Sequence, residues 1–269
     1  MKKNEVTAGC IIEKIDGEAI KAGEDYNALL DGKAGKNVRL TIRNTKGKTF
    51  DLTIKAISQG NQQELLYKRW VDRNRAIVDS VSKGRIAYVH VKAMNSESFR
   101  TVYSELLSDK NRNKDAVIVD ERHNGGGWLH DDLCTLLSGK QYQEFVPHGK
   151  VVGKDPFNKW TKPSCVLICE DDYSNGHGFP WVYKELGIGK LIGAPVAGTM
   201  TAVWWETLMD RSLVFGIPQV GCRDMRGTFG ENTTLYPHVE VYNSPEDYIT
   251  GHDTQLIRAV EEMMKETKK

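Results

Sequence analysis

Three apolar runs constrain this chain more than any other feature: Arg85-Ile-Ala-Tyr-Val-His-Val91, Asp115-Ala-Val-Ile-Val-Asp-Glu121 and Pro163-Ser-Cys-Val-Leu-Ile-Cys-Glu170. None of them alternates apolar with polar residues. Strands that are apolar on both faces need cover on both faces, which points to a sheet sandwiched between helices. Helical stretches sit between and after the runs, near Ser96 to Leu107, Trp128 to Leu137 and Phe179 to Leu186. The chain closes on a further helix, with Asp253 placed as its N-cap and Leu256, Ile257, Val260, Met263 and Met264 as its buried stripe. Residues 85–269 therefore read as an α/β domain.

The first part of the chain follows a different rule. Cys10 to Ile15 reads as a strand closed by the turn pair Asp16-Gly17, and Asp25 to Leu30 as a short helix ending at Asp31-Gly32. Val38-Arg-Leu-Thr-Ile-Arg43 alternates strictly, and with Thr49 to Ile54 it makes a hairpin of half-buried strands. Residues 1–58 are a small β-rich module. Residues 59–84 read as a linking helix, with Leu66, Trp70, Ile77 and Val81 on one face.

Composition limits what such a chain can do. Lys plus Arg number 37 and Asp plus Glu 36, a net charge of +1, so no global field draws it to nucleic acid or anionic lipid. No run of apolar residues is long enough for a membrane-spanning helix. Met1-Lys2-Lys3 leads into no apolar signal segment, and the first strand already looks like the middle of a domain, so the sequence reads as a fragment. The five cysteines are dispersed, and Cys165 and Cys169 have no matching second pair, so they read as reduced, mostly buried thiols with no metal site.

Two strand ends carry the residues with chemical potential. After the second run comes Asp120-Glu-Arg-His-Asn-Gly-Gly-Gly127, where the three glycines let backbone N–H groups approach a ligand. Neither nucleotide-binding glycine motif is present, and a turn chosen for geometry alone would explain the run equally well. After the third run comes Asp172-Tyr-Ser-Asn-Gly-His-Gly-Phe-Pro180. A serine at a strand-to-helix turn can present its hydroxyl at the sheet edge as a nucleophile. The alternative reading of Ser174 is an ordinary helix N-cap.

The pair Asp120-x-Arg-x-Asn-Gly-Gly-Gly and Tyr173-Ser-Asn-Gly-x-Gly-Phe-Pro, followed by Leu186-Gly-Ile-Gly-Lys-Leu-Ile-Gly193, resembles the core of tricorn protease and the related C-terminal-processing serine peptidases. Residues 9 to 57 resemble the later part of a PDZ domain, so the likeness covers nearly the whole chain. It implies an α/β core of crotonase-like type preceded by a partial PDZ-like module. It further implies that Ser174 is the nucleophile, that the oxyanion hole comes from the N–H of Asn175 and one N–H of Gly126 or Gly127, and that Glu231, in Gly230-Glu-Asn232, is the active-site carboxylate. No cofactor or metal is needed. The substrate would be a peptide or unfolded protein, with no nucleic acid and no membrane span, and the resemblance leaves room for a homo-oligomer.

Two departures from that pattern stand out. Where the Ser-Lys peptidases carry a general-base lysine, this chain has Val196-Ala-Gly-Thr-Met200, and Thr199 cannot serve as that base. The tricorn type takes its base from a histidine upstream of the PDZ domain, so the resemblance places it outside this sequence. Among the histidines, His177 reads as polar lining, His90 as a satisfied core residue and His123 as a turn residue. A non-catalytic scaffold or peptide-binding module that kept the fold, and a crotonase-like acyl-CoA enzyme, remain competing readings.

Overall fold

The computed structural model describes residues 6–268. Its chain divides into two compact units, with the boundary between Trp70 and Val71.

The first unit is an antiparallel sheet of strands β1 (Ile11–Ile15), β2 (Glu18–Ala19), β3 (Asn37–Arg43) and β4 (Thr49–Lys55), in the order β2-β1-β3-β4. The alternation of β3 decides its faces: Val38, Leu40 and Ile42 are buried together with Ile15 and Phe50, while Arg39 and Arg43 point to solvent. Tyr26–Leu30 forms a short 3-10 helix, because Asp25 caps it by accepting from the Asn27 N–H.

Helix α1 (Gln59–Val81) follows. Its buried residues are Val71, Asn74 and Val78, not the face through Leu66, Trp70, Ile77 and Val81 that the apolar spacing selects; Leu66 and Val81 are exposed. The reason is a polar residue on the buried side. Asn74 donates to the hydroxyl of Tyr88 at 3.3 Å, which in turn donates to Asp120 at 2.9 Å, so a search for apolar stripes misses this face.

The second unit holds a five-stranded parallel sheet in the order β13-β10-β9-β6-β5, built from β5 (Ile86–His90), β6 (Ala116–Asp120), β9 (Ser164–Ile168), β10 (Lys190–Gly193) and β13 (Val239–Glu240). Every residue of β5, β6 and β9 is buried, as runs apolar on both faces require. One face, including Val89, Val119 and Ile168, packs with residues of α2 (Ser96–Leu106), α4 (His130–Leu137) and α5 (Asn175–Glu185). Helix α7 (Thr254–Glu266) lies against β5, β6, β9 and β10 and buries Leu256, Val260 and Met263. Short helices α3 (Asp109–Arg112) and α6 (Pro245–Thr250) complete the helical set.

Helices α4 and α5 begin away from the positions expected of them. Helix α4 starts at His130, not Trp128, because Leu129 and His130 are held by Asn175. Helix α5 starts at Asn175, not Phe179, because the Ser174 carbonyl already accepts from the N–H groups of His177 and Gly178. The two glycines and Pro180 thus lie inside its first turns. Two hairpins, β7–β8 (Gln143–Phe145 with Gly153–Asp155) and β11–β12 (Ala202–Thr207 with Val214–Val220), have no counterpart in the apolar-run pattern. The second carries Trp204, Trp205, Val214 and Phe215 in the open. No helix among the described residues is long and apolar enough to cross a membrane. All five cysteines are free, and Cys134, Cys165 and Cys169 are buried.

Candidate active site

Parallel strands deliver their carboxyl ends to one edge of the sheet, and ligand sites of open α/β sheets form there. The loops leaving β6 and β9 meet at that edge. Asn124 joins them: its carbonyl accepts from Tyr173 N–H at 2.9 Å, its N–H donates to Asp172 Oδ1 at 3.2 Å, and its Nδ2 donates to the Val91 carbonyl at 2.8 Å. Asp172 also accepts from the Cys169 N–H at 2.8 Å. Burial nevertheless pushes the Asp172 carboxyl well above its ordinary value. Glu121 beside it is fully buried, and neither of its carboxylate oxygens has a partner among the described residues; burial, then the charges of Asp172 and Asp120, drive its pKa well up.

Ser174 closes the β9 loop with φ 54° and ψ −118°, a backbone region that costs a non-glycine residue about 1–3 kcal/mol. The strain is held from three sides. Ser174 N–H donates to Thr199 Oγ1 at 3.0 Å, its carbonyl opens α5, and Gly126 backs against its Cβ. Although it occupies the N-cap position, its side chain makes no capping bond. The hydroxyl therefore does not do the work that an ordinary N-cap would demand of it.

The glycine run is pressed against this serine. Gly126 (φ 94°) and Gly127 (φ 132°) are both in the region that favours glycine. The N–H of Gly126 donates to Asn124 Oδ1 at 2.8 Å, so it is already engaged. The N–H groups of Gly127 and Asn175 have no partner among the described residues. The Asn175 side chain also ties the two loops together. Its Oδ1 accepts from Leu129 N–H at 2.7 Å and His130 N–H at 3.1 Å, and its Nδ2 lies 2.9 Å from His130 Nδ1. No signal in the sequence marks this link.

Ser174, Gly126, Gly127, Asn175 and Glu231 all line one cavity of about 480 Å³, with Trp205 of β11 on its wall. Glu231 Oε2 accepts from the Thr201 N–H at 2.8 Å. The Thr201 hydroxyl, then its N–H, then the Met200 N–H hold the Glu231 carboxyl below the usual range, so it is ionised. His177 does not line this cavity: it is buried, with its ring 5.5 Å from that of Trp181, and burial lowers its pKa. It lies in the first turn of α5, which begins well before Phe179. His90 is buried with Nε2 3.3 Å from the Arg122 carbonyl oxygen, and His123 occupies a left-handed turn position at φ 68°. The described lining includes no histidine or lysine.

The sheet, the loops and the serine turn have close counterparts among known proteins. Residues 85–241 match the model of peptidase family S41, and residues 4–59 match that of the tricorn protease PDZ domain. This chain belongs to peptidase family S41. Among curated relatives, the tricorn protease of Thermoplasma acidophilum is 29% identical over 96% of this chain and 24% of its own length. A putative tricorn-like protease C-terminal subunit of Sulfurisphaera tokodaii is 31% identical over 97% of this chain and 30% of its own length. The crystal structure of the tricorn protease superimposes with a TM-score of 0.86 at 28% identity, covering 97% of this chain and 25% of that one. The chain thus spans roughly a quarter to a third of the length of these relatives, and its own matched segments include both the PDZ module and the α/β core.

Proposed function

We propose that this chain carries the nucleophile and oxyanion hole of a tricorn-type serine peptidase acting on peptides or unfolded protein. The observation that supports this reading most is the combination at one cavity of a strained Ser174 with an uncommitted hydroxyl and two unengaged N–H groups, on Gly127 and Asn175. Attack of Ser174 Oγ on a peptide carbonyl would form a C–O bond and break the carbonyl π-bond, moving charge onto oxygen. The two N–H groups would hold that oxyanion. Collapse would expel the amine with the proton taken from Ser174, and water would then release the acyl group. Gly127, not Gly126, is the glycine donor in this reading.

The ionised Glu231 on the cavity wall would orient the proton acceptor or a water. No histidine or lysine stands among the described lining residues, so this reading assigns the base, as in the tricorn type, to a histidine outside the described residues. A fluorophosphonate probe tests the proposal. An adduct should form at Ser174, vanish in Ser174→Ala, and form faster when the chain is joined to an upstream tricorn-type segment. Absence of labelling in both forms would favour a scaffold that has kept the fold without the chemistry.

A further inference from the structure

On the outer side of the same two loops lies a cluster that the proposed peptidase chemistry does not use. His123, three residues before Gly126, and Cys169 and Asp171, before Ser174, bring Nδ1, Sγ and a carboxylate oxygen within 4.8 Å of one another. His123 Nδ1 is 3.0 Å from Asp171 Oδ2 and 3.8 Å from Cys169 Sγ. Tetrahedral zinc has bonds of about 2.0–2.3 Å to N, O and S donors, which sets its ligand atoms roughly 3.3 to 3.6 Å apart. The two separations from His123 Nδ1 thus differ from a ligating arrangement by a few tenths of an ångström, within reach of side-chain adjustment.

A second observation concerns the sulfur. The N–H of His123 donates to Cys169 Sγ at 3.2 Å, and the thiol itself donates to Asp172 Oδ1 at 3.6 Å. A backbone N–H aimed at the sulfur favours thiolate, the form that binds metal, and is an outer partner of the kind that tunes metal–sulfur sites. Cys169 forms the floor of the cluster while His123 and Asp171 are exposed, so a cation could enter from solvent.

We propose that His123, Cys169 and Asp171 form a binding site for a borderline-soft divalent cation such as Zn²⁺, with water completing the coordination. Binding replaces the thiol proton, which leaves to solvent as the metal–sulfur bond forms; His123 contributes its Nδ1 lone pair and Asp171 its carboxylate. The two anionic ligands balance the charge of the cation, so the occupied site is neutral. Because the ligands come from the loops after β6 and after β9, the ion would fasten to each other the segments bearing the glycine run and Ser174.

Co²⁺ is the probe of choice, since its thiolate charge-transfer absorption reports sulfur ligation and its visible bands report a tetrahedral site. The chain should show both on titration, and Zn²⁺ should abolish them by displacement. Asp171→Asn, at an exposed position, and His123→Asn, which suits the left-handed backbone, should each weaken Co²⁺ binding at least about tenfold. Cys169→Ser should remove the charge-transfer band, while Cys222→Ser should keep it. Zn²⁺ should raise the melting temperature of the unsubstituted chain and not of Asp171→Asn. Cobalt spectra without a thiolate band, or undiminished binding in Cys169→Ser, would overturn the proposal. None of these readouts depends on whether Ser174 reacts, so the outcome stands apart from that of the labelling experiment.

Discussion

Gly125, Gly126 and Gly127 are adjacent in sequence but differ in what a side chain would meet. A Cβ on Gly125 meets nothing within 4 Å, whereas one on Gly126 would lie 2.6 Å from Ser174 Cβ, 2.8 Å from the Tyr173 carbonyl oxygen and 3.1 Å from Asn175 N. A Cβ on Gly127 would collide with the Met94 carbonyl. Gly125→Ala should therefore keep stability within about 0.5 kcal/mol of the parent. Gly126→Ala should displace Ser174 and cut its labelling by about a hundredfold or more, the usual scale for damage to an oxyanion site. Melting curves and probe kinetics on the two variants check this, and normal labelling of Gly126→Ala would remove the close packing from the argument. The glycine run is conspicuous in the sequence because runs of three glycines have few explanations. Which glycine touches what depends on a register of loops about fifty residues apart, and no local pattern encodes that.

Among the elements, β6 and α7 are joined by one buried cation. Arg122, just past the end of β6, donates to both carboxylate oxygens of Asp120 and both of Asp253, the N-cap of α7, and also to Gln255. Burial alone would raise the Asp120 pKa, but the guanidinium overrides it and holds the carboxyl below its ordinary value. Arg122→Met leaves Asp120 charged and fully buried with its main partner gone. It should cost about 3–5 kcal/mol, as breaking a buried pair typically does, and denaturant unfolding would measure it. A loss below about 1 kcal/mol would mean that the clamp contributes little. The three core strands and the final helix are legible because burial on both faces, or on a 3.6-residue stripe, writes itself into composition. The buried face of α1 is not, since Asn74 is the residue that faces inward there, and the exposed hairpin β11–β12 carries apolar residues that no core requires. For the site, Ser174 and the glycine run are visible; the anchoring of their loops by Thr199 and Asn124 is not, because both act on backbone groups distant in sequence.

At the scale of the whole molecule, the last helix is fastened to the sheet by a carboxylate surrounded by cations. Glu262 pairs with Lys190 at 3.0 Å, Lys265 at 2.9 Å and Arg258 at 3.1 Å. Its bond from Lys265, followed by that from Lys190, lowers its pKa from 4.5 to about 2. A folded-state value below the unfolded one stabilises the fold above about pH 4.5, and that contribution disappears as pH falls toward 2. Glu262→Gln should therefore cost about 1 to 2 kcal/mol at neutral pH, less than the full shift would give because its cations are open to solvent. The gap from the parent should close on acidification; a gap independent of pH would assign the loss to packing.

The placement of the six tryptophans also gives the molecule an optical property. Trp160 is buried in the core, whereas Trp128 and Trp205 are largely exposed and line the cavity beside Ser174. Indole emission moves to shorter wavelength when water is replaced by an apolar neighbour. A chain segment lying in the cavity would desolvate those two rings while leaving Trp160 as a constant background. Occupancy of the cavity should thus appear in the intrinsic fluorescence, which allows binding to be followed in Ser174→Ala protein independently of any reaction.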